Sequence, residues 1–262
     1  MTGFNRKCRM YRILLEVLLG CGIFSAVILL LTLGSPPPPV SAHSGGTFGP
    51  NCGQATIDGV VNSDEWSTAS KTTIQMVPPG SATPFSATLY VMNSKNFLYI
   101  GITINDDEFT TYANTLPGGD GFRIDFDNNN SGTLFALNDD VLSVYAALSQ
   151  FEDAYIYNGA TSSARSDIDG GGTHDGFGAA SRLGDLNHFE LIHPLCSGDS
   201  LDFCLQPTNT VGFRLEYLDA EANGTFGGTQ LYPGTTDTSE SDIVIGNCAI
   251  PDIFIFLPFV SR

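Results

Sequence analysis

The stretch ATLYVMNSKNFLYIGITINDDE, residues 87–108, decides the fold class. Two runs of β-branched, aromatic and aliphatic residues, Phe85–Met92 and Phe97–Ile104, flank Asn93-Ser94-Lys95-Asn96, four residues that favour turns. This is the pattern of a β-hairpin. Outward from it, similar runs recur at Lys71–Met76, Gly121–Asp127, Val141–Leu148, Asp153–Tyr157, His188–His193, Val211–Leu218, Asp242–Ile245 and Ile253–Val260. In Gly121–Asp127 the residues Phe122, Ile124 and Phe126 share one face, and Arg123, Asp125 and Asp127 the other. No window has the apolar spacing of a three-turn helix. A single turn is predicted at Ser63–Ala69, with Ser63 as its cap and Trp66 pointing inward. The expected fold is all-β: an antiparallel β-sandwich of about ten strands. Asn158–Asn187 is rich in Gly, Ser and Asp with almost nothing to bury, and reads as a long loop.

The ends carry an address rather than a fold. Arg6, Lys7, Arg9 and Arg12 precede an apolar run from Val17 to Leu33, then Pro36–Pro39 and Val40-Ser41-Ala42. A basic region, an apolar region and a small-x-small site predict a secretory signal over residues 1–42, with cleavage after Ala42. An uncleaved membrane anchor is the other reading, and the one route by which a membrane would be a partner. Both place the remainder outside the cytoplasm, secreted or at the cell surface. A short linker is expected at 43–53, the sandwich at 54–250, and an apolar final strand or sorting tail at 251–262.

The whole chain has 11 basic and 28 acidic side chains, a formal charge of -17. Such a balance excludes the cationic footprint of a nucleic-acid binder. Without residues 1–42 it keeps 7 basic and 27 acidic groups, so divalent cations would relieve its self-repulsion. Cys52, Cys196, Cys204 and Cys248 also remain, an even number that predicts two disulfides in an oxidising compartment. Of three connectivities, Cys196–Cys204 with Cys52–Cys248 is favoured, a short loop and a tie between the domain's two ends.

Ala55-Thr56-Ile57-Asp58-Gly59, then Asp64-Glu65-Trp66, the hairpin above, GDGFRIDFDNNNSG (119–132), HFELIHPL (188–195) and VGFRLEYLDA (211–220) occur in an order that resembles a family 9 carbohydrate-binding module. That family is a relative of the DOMON-type sandwiches. The resemblance covers residues 54–246. It implies a jelly-roll-like sandwich with calcium sites that binds polysaccharide ends or surfaces; a cell-surface polymer is a further expected partner. Sugar-binding members clamp a ring between aromatic residues, commonly two Trp. Trp66 stands here alone, in a motif where the residue is core, which leaves Tyr112, Tyr155, Tyr157 and Tyr232 as loop-side candidates.

One loop has the spacing of a hard-cation site. Asp127, Asn129 and Ser131 place oxygens at positions one, three and five, with Gly132 at six for the turn. Thr133 can add a carbonyl, Asp139 and Asp140 can close the site, and Asp125 lies on Asp127's strand face. Calcium is the expected ion. Asp219, Glu221 and Asn223 repeat the spacing, whereas Asp106-Asp107-Glu108 and Asp167-x-Asp169 read as solvated loop charges. His188 and His193, five apart on a strand, face opposite ways and cannot share a metal. No nucleophile elbow, zinc-protease or nucleotide motif is present. The expected function is therefore a non-catalytic, calcium-stabilised binding domain for carbohydrate. A structural or adhesive surface protein, and a glycan-acting enzyme with a carboxylate pair, are the alternatives.

Overall fold

The computed structural model of the chain describes residues 43, 45–78, 84–112, 118–147, 150–159, 163–236 and 238–249. The expected signal and the run Ile253–Val260 therefore lie outside the described residues. The strands in chain order are β1 (Thr47–Phe48), β2 (Ser70–Met76), β3 (Phe85–Asn93), β4 (Phe97–Asn105), β5 (Gly121–Asp127) and β6 (Asp140–Tyr145). There follow β7 (Gln150–Ile156), β8 (Ala164–Ser166), β9 (Phe177–Leu183), β10 (Leu186–Pro194), β11 (Thr210–Ala220), β12 (Phe226–Tyr232) and β13 (Ser241–Val244). They form two sheets. The larger has the order β1-β13-β11-β5-β6-β7-β8, with β12 also paired to β11; the smaller is β2-β3-β4-β10-β9. Pairing is antiparallel except for β1 with β13.

The strand alternation builds the core. Phe122, Ile124 and Phe126 of β5 and Phe213, Leu215 and Tyr217 of β11 face Leu89 and Val91 of β3, Ile100 and Ile102 of β4, and Phe189 and Leu191 of β10. Burial of such side chains contributes roughly 1.5–3 kcal/mol each. The second face of β4 is covered as well. There Trp66 packs with Val61, Met92 and Tyr99, and a Cβ at Gly101 would sit 2.9 Å from its ring, so only glycine lets the indole lie this close.

Several expectations are corrected. The cap of the Ser63–Ala69 turn is Asn62, not Ser63: Asn62 Oδ1 accepts the amides of Asp64 and Glu65, both at 3.0 Å. A cap must precede the first turn by one residue to reach those N–H groups. The segment 158–187 is no plain loop. It holds β8, a helical turn Asp167–Gly170, β9 and the start of β10. Phe177-Gly178-Ala179-Ala180 has little bulk because it packs closely on Val144 and Phe151, which a Cβ at Gly178 would strike. Residues 47 and 48 pair with β13, and Cys52 pairs with Asn93, within the segment expected as a linker. Cys196 is joined to Cys204, and Cys52 to Cys248.

Candidate functional site

The outer face of the larger sheet presents polar groups in register across four strands. Glu152 of β7 lies opposite Ser143 of β6, Ser143 opposite Arg123 of β5, and Arg123 opposite Glu216 of β11. In the next row Asp125 stands beside Arg214, and the row before holds Gln150 and Tyr145. At strand spacing the four-residue row spans about 14 Å. Arg123 Nε donates to Asp125 Oδ1 at 2.7 Å, and Arg214 Nη2 to Glu216 Oε1 at 2.6 Å. Arg214 also stacks on Phe135, 4.5 Å from the ring centroid. Both guanidinium planes are thus held, while Gln150 and Glu152 are exposed and Arg123, Glu216 and Tyr145 partly so. Tyr145 lies flat against backbone, since a Cβ at Gly118 or Gly121 would meet its ring at 2.6–2.8 Å. Burial, then the neighbouring Asp125, raises the Glu216 carboxyl above its ordinary range, with Arg123 and Arg214 opposing.

Buried acids gather at three other places. Asp106, Asp120 and Asp219 bring ligand-type oxygens within 4.8 Å of one another, as do Asp153, Asp167 and Asp202, and as Asp140 and Asp202 do with a nitrogen of His193. Asp127 and Glu240 meet His43 in the same way. Loss of hydration pushes Asp120, Asp139, Asp153, Asp219 and Glu240 up to about 7 and Asp167 to about 8. Asp140, wholly buried, rises well above the usual carboxylate range for the same reason, reinforced by Asp153 and Asp202. Groups held so far from water need protons or cations as partners.

The residues of the expected cation loops are distributed among these places. Asp127 accepts the Ser131 hydroxyl at 3.2 Å and the Gly132 amide at 2.8 Å, while Asn129, Ser131 and Thr133 are exposed. Asp125 pairs with Arg123 and Arg214. Asp139 accepts the Ala136 and Asn128 amides, whereas Asp140 turns inward to the His193 cluster. Asp219 joins Asp106 and Asp120; Glu221 converges with it over Gly227, and Asn223 caps the Thr225 amide at 2.8 Å. Asp106 and Asp167 are buried, which corrects their reading as solvated charges. Of the aromatic candidates, Tyr112 and Tyr157 are exposed, Tyr155 is buried, and the Tyr232 hydroxyl donates to the Gly45 carbonyl. Asp153 is not among the expected ligands and His193 is weighed only against His188, though each shares a strand face with core residues, Phe151 and Tyr155 or Phe189 and Leu191, and so points inward.

Residues 57–173 match the family model described as carbohydrate family 9 binding domain-like. The resemblance is to family 9. The matched region runs from the Ile57-Asp58-Gly59 motif through β8 and the helical turn, so it includes Trp66, Arg123 and Asp153. Two solved structures share the sandwich. One is a family 9 carbohydrate-binding module from Caldicellulosiruptor kristjanssonii in complex with cellotriose, 16% identical, TM-score 0.55, covering 79% of this chain and 97% of that one. The other, from the same organism in complex with glucose, is 16% identical with a TM-score of 0.56, covering 79% of this chain and 100% of that one. No curated protein matches the chain.

Proposed function

We propose that this protein is a secreted, non-catalytic saccharide-binding domain stabilised by calcium. The observation that carries the reading is the row Glu152–Ser143–Arg123–Glu216 beside Tyr145, in which Ser143 is buried and Glu152, Arg123, Glu216 and Tyr145 reach the surface. Guanidinium, carboxylate and hydroxyl groups in a fixed line match the alternating donors and acceptors of sugar hydroxyls, and ion pairing holds them in place before a ligand arrives. The family 9 likeness of residues 57–173 and the cellotriose and glucose complexes of the structural neighbours support a saccharide, free or in a cell-surface polymer. Export is supported by the basic-then-apolar N-terminal sequence and by the two disulfides. Calcium fits the Asp106–Asp120–Asp219 cluster, whose donors are all oxygen and whose rim adds Glu221.

Calorimetric titration of the full chain with cellotriose, glucose and a panel of other glycans tests the saccharide reading. Arg123→Ala is expected to lower affinity for the bound glycan at least tenfold. Absence of binding across the panel, or wild-type affinity in a folded Arg123→Ala variant, would overturn it.

A further inference from the structure

The Asp140–Asp153–Asp167–Asp202 cluster holds the fully buried imidazole of His193; the Asp127–Glu240 group also holds a buried imidazole, His43, whose Nδ1 pairs with Asp242 at 2.7 Å. His193 sits on the core face of β10, with no exposed surface, and its Nδ1 lies 2.9 Å from the Pro194 carbonyl oxygen. A carbonyl only accepts, so Nδ1 carries a proton, and in the neutral imidazole Nε2 is then the bare nitrogen. Nε2 faces Asp202 Oδ2 at 3.6 Å and Asp153 Oδ2 at 3.9 Å, and has no hydrogen-bond partner among the described residues. Phe203 packs edge-on against the ring at 4.9 Å and keeps it from turning away.

Asp202 Oδ2 accepts the Ser197 hydroxyl and Asp153 Oδ2 the Asp175 amide, both at 2.5 Å, but Asp153 Oδ1, Asp202 Oδ1 and both oxygens of Asp167, which converges with Asp153 and Asp202, lack donors. All four aspartates are buried, and no Lys or Arg among the described residues pairs with them. Lone pairs therefore point at lone pairs. A proton shared between Asp167 and Asp202 relieves part of this, but no carboxyl proton reaches Nε2 across 3.6 Å, since such bonds close to about 2.7–3.0 Å. Two ligand atoms bound to one ion at about 2.1 Å sit roughly 3–3.5 Å apart at octahedral or tetrahedral angles, near the observed spacing. The backbone carbonyl on the far nitrogen is the partner that metal-bound histidines commonly have.

We propose that His193, with Asp140, Asp153, Asp167 and Asp202, forms a site for a nitrogen-accepting first-row divalent ion, Zn2+ or Mn2+, rather than for Ca2+. Calcium takes oxygen ligands, whereas imidazole suits the transition ions. Its ligands come from β6 and β7 of one sheet, β10 of the other, the helical turn, and the loop closed by Cys196–Cys204, so the ion ties both layers at one end of the sandwich. The proposal is independent of the saccharide reading and of calcium at Asp219.

The test uses the full chain stripped with chelator and titrated separately with ZnCl2, MnCl2 and CaCl2, together with pulsed electron paramagnetic resonance of the Mn2+-loaded protein. We expect Zn2+ to bind at least tenfold more tightly than Ca2+ at one site, and bound Mn2+ to show coupling to a directly ligated nitrogen. His193→Gln should lower Zn2+ affinity at least tenfold, whereas His43→Gln should keep both the affinity and the nitrogen coupling. Calcium binding there as tightly as Zn2+, Mn2+ without nitrogen coupling, or coupling abolished by His43→Gln would each overturn the proposal. So would wild-type Zn2+ affinity in a folded His193→Gln variant.

Discussion

The indole Nε1 of Trp66 donates to Glu190 Oε1 at 2.8 Å, and the amides of Gly59 and Asp58 donate to Oε2 of the same carboxylate at 2.8 and 3.0 Å. The Ile57-Asp58-Gly59 and Glu65-Trp66 motifs, apart in sequence, thus close on one buried side chain of β10. Gly59 takes a φ of +87° there, and a Cβ on it would lie 3.0 Å from the Ala180 backbone. The short opening motif is a lid pinned over the outer face of the smaller sheet.

Trp66→Phe keeps most of the apolar contact but removes the donor to Glu190. Leaving a buried carboxylate oxygen without its partner is expected to lower stability by about 1–3 kcal/mol. Trp66→Ala adds a cavity and should cost about 3–5 kcal/mol. Equilibrium urea unfolding of the three proteins reads both differences, and equal stability of wild type and Trp66→Phe would refute the role of the hydrogen bond.

Glu190 also sets a pH dependence. Burial, opposed by its three donors, raises its carboxyl from 4.5 to about 7 in the folded protein. The folded state then holds a proton that the unfolded chain has released, so this group's contribution is full below pH 4.5 and is lost as pH rises to about 7. At 1.36 kcal/mol per pKa unit the loss is about 3 kcal/mol. Glu190→Gln does not titrate, so the stability gap between wild type and variant should narrow by about that amount between pH 4.5 and 7. A gap that widens over this window would reverse the sign of the argument.

Asn62, not Ser63, caps the turn that carries Trp66. Asn62→Ala should therefore lower stability by about 1 kcal/mol, and Ser63→Ala by less than about 0.5 kcal/mol. Thermal melts of the two variants separate these outcomes.

Calcium removal should lower the melting temperature if the Asp106–Asp120–Asp219 cluster holds the ion. At a free concentration of about a hundred times its dissociation constant, calcium contributes roughly 2.7 kcal/mol by mass action. Asp219→Asn should lose most of that response, and identical melting curves with calcium and with chelator would refute it.

The Cys52–Cys248 bridge, 196 residues apart, should stabilise more than the eight-residue Cys196–Cys204 loop. In the chain-entropy model the values are about 5 and about 2.5 kcal/mol. Cys→Ala pairs compared by denaturant unfolding, with non-reducing peptide maps of the wild type, measure both.

Strand content, the Asn93–Asn96 hairpin, the inward Trp66 and the number of disulfides followed from the sequence, because period-two alternation, turn chemistry and cysteine parity are local or countable signals; which of three connectivities is formed is decided by the tertiary structure. Where glycine and small polar residues fill a strand, as in Phe177–Leu183 and Phe226–Tyr232, that signal is weak and only pairing with β10 and β11 makes the segment a strand. The cation-loop spacing located Asp127, Asp140 and Asp219 but not their partners. Which acid meets which is set by register between strands and by the packing of one sheet on the other, so Asp140 meets His193, 53 residues on, rather than its neighbour Asp139. Sequence decides which face a residue takes. Tertiary structure alone decides what lies opposite, and desolvation there turns ordinary carboxylates into groups that need a proton or a cation.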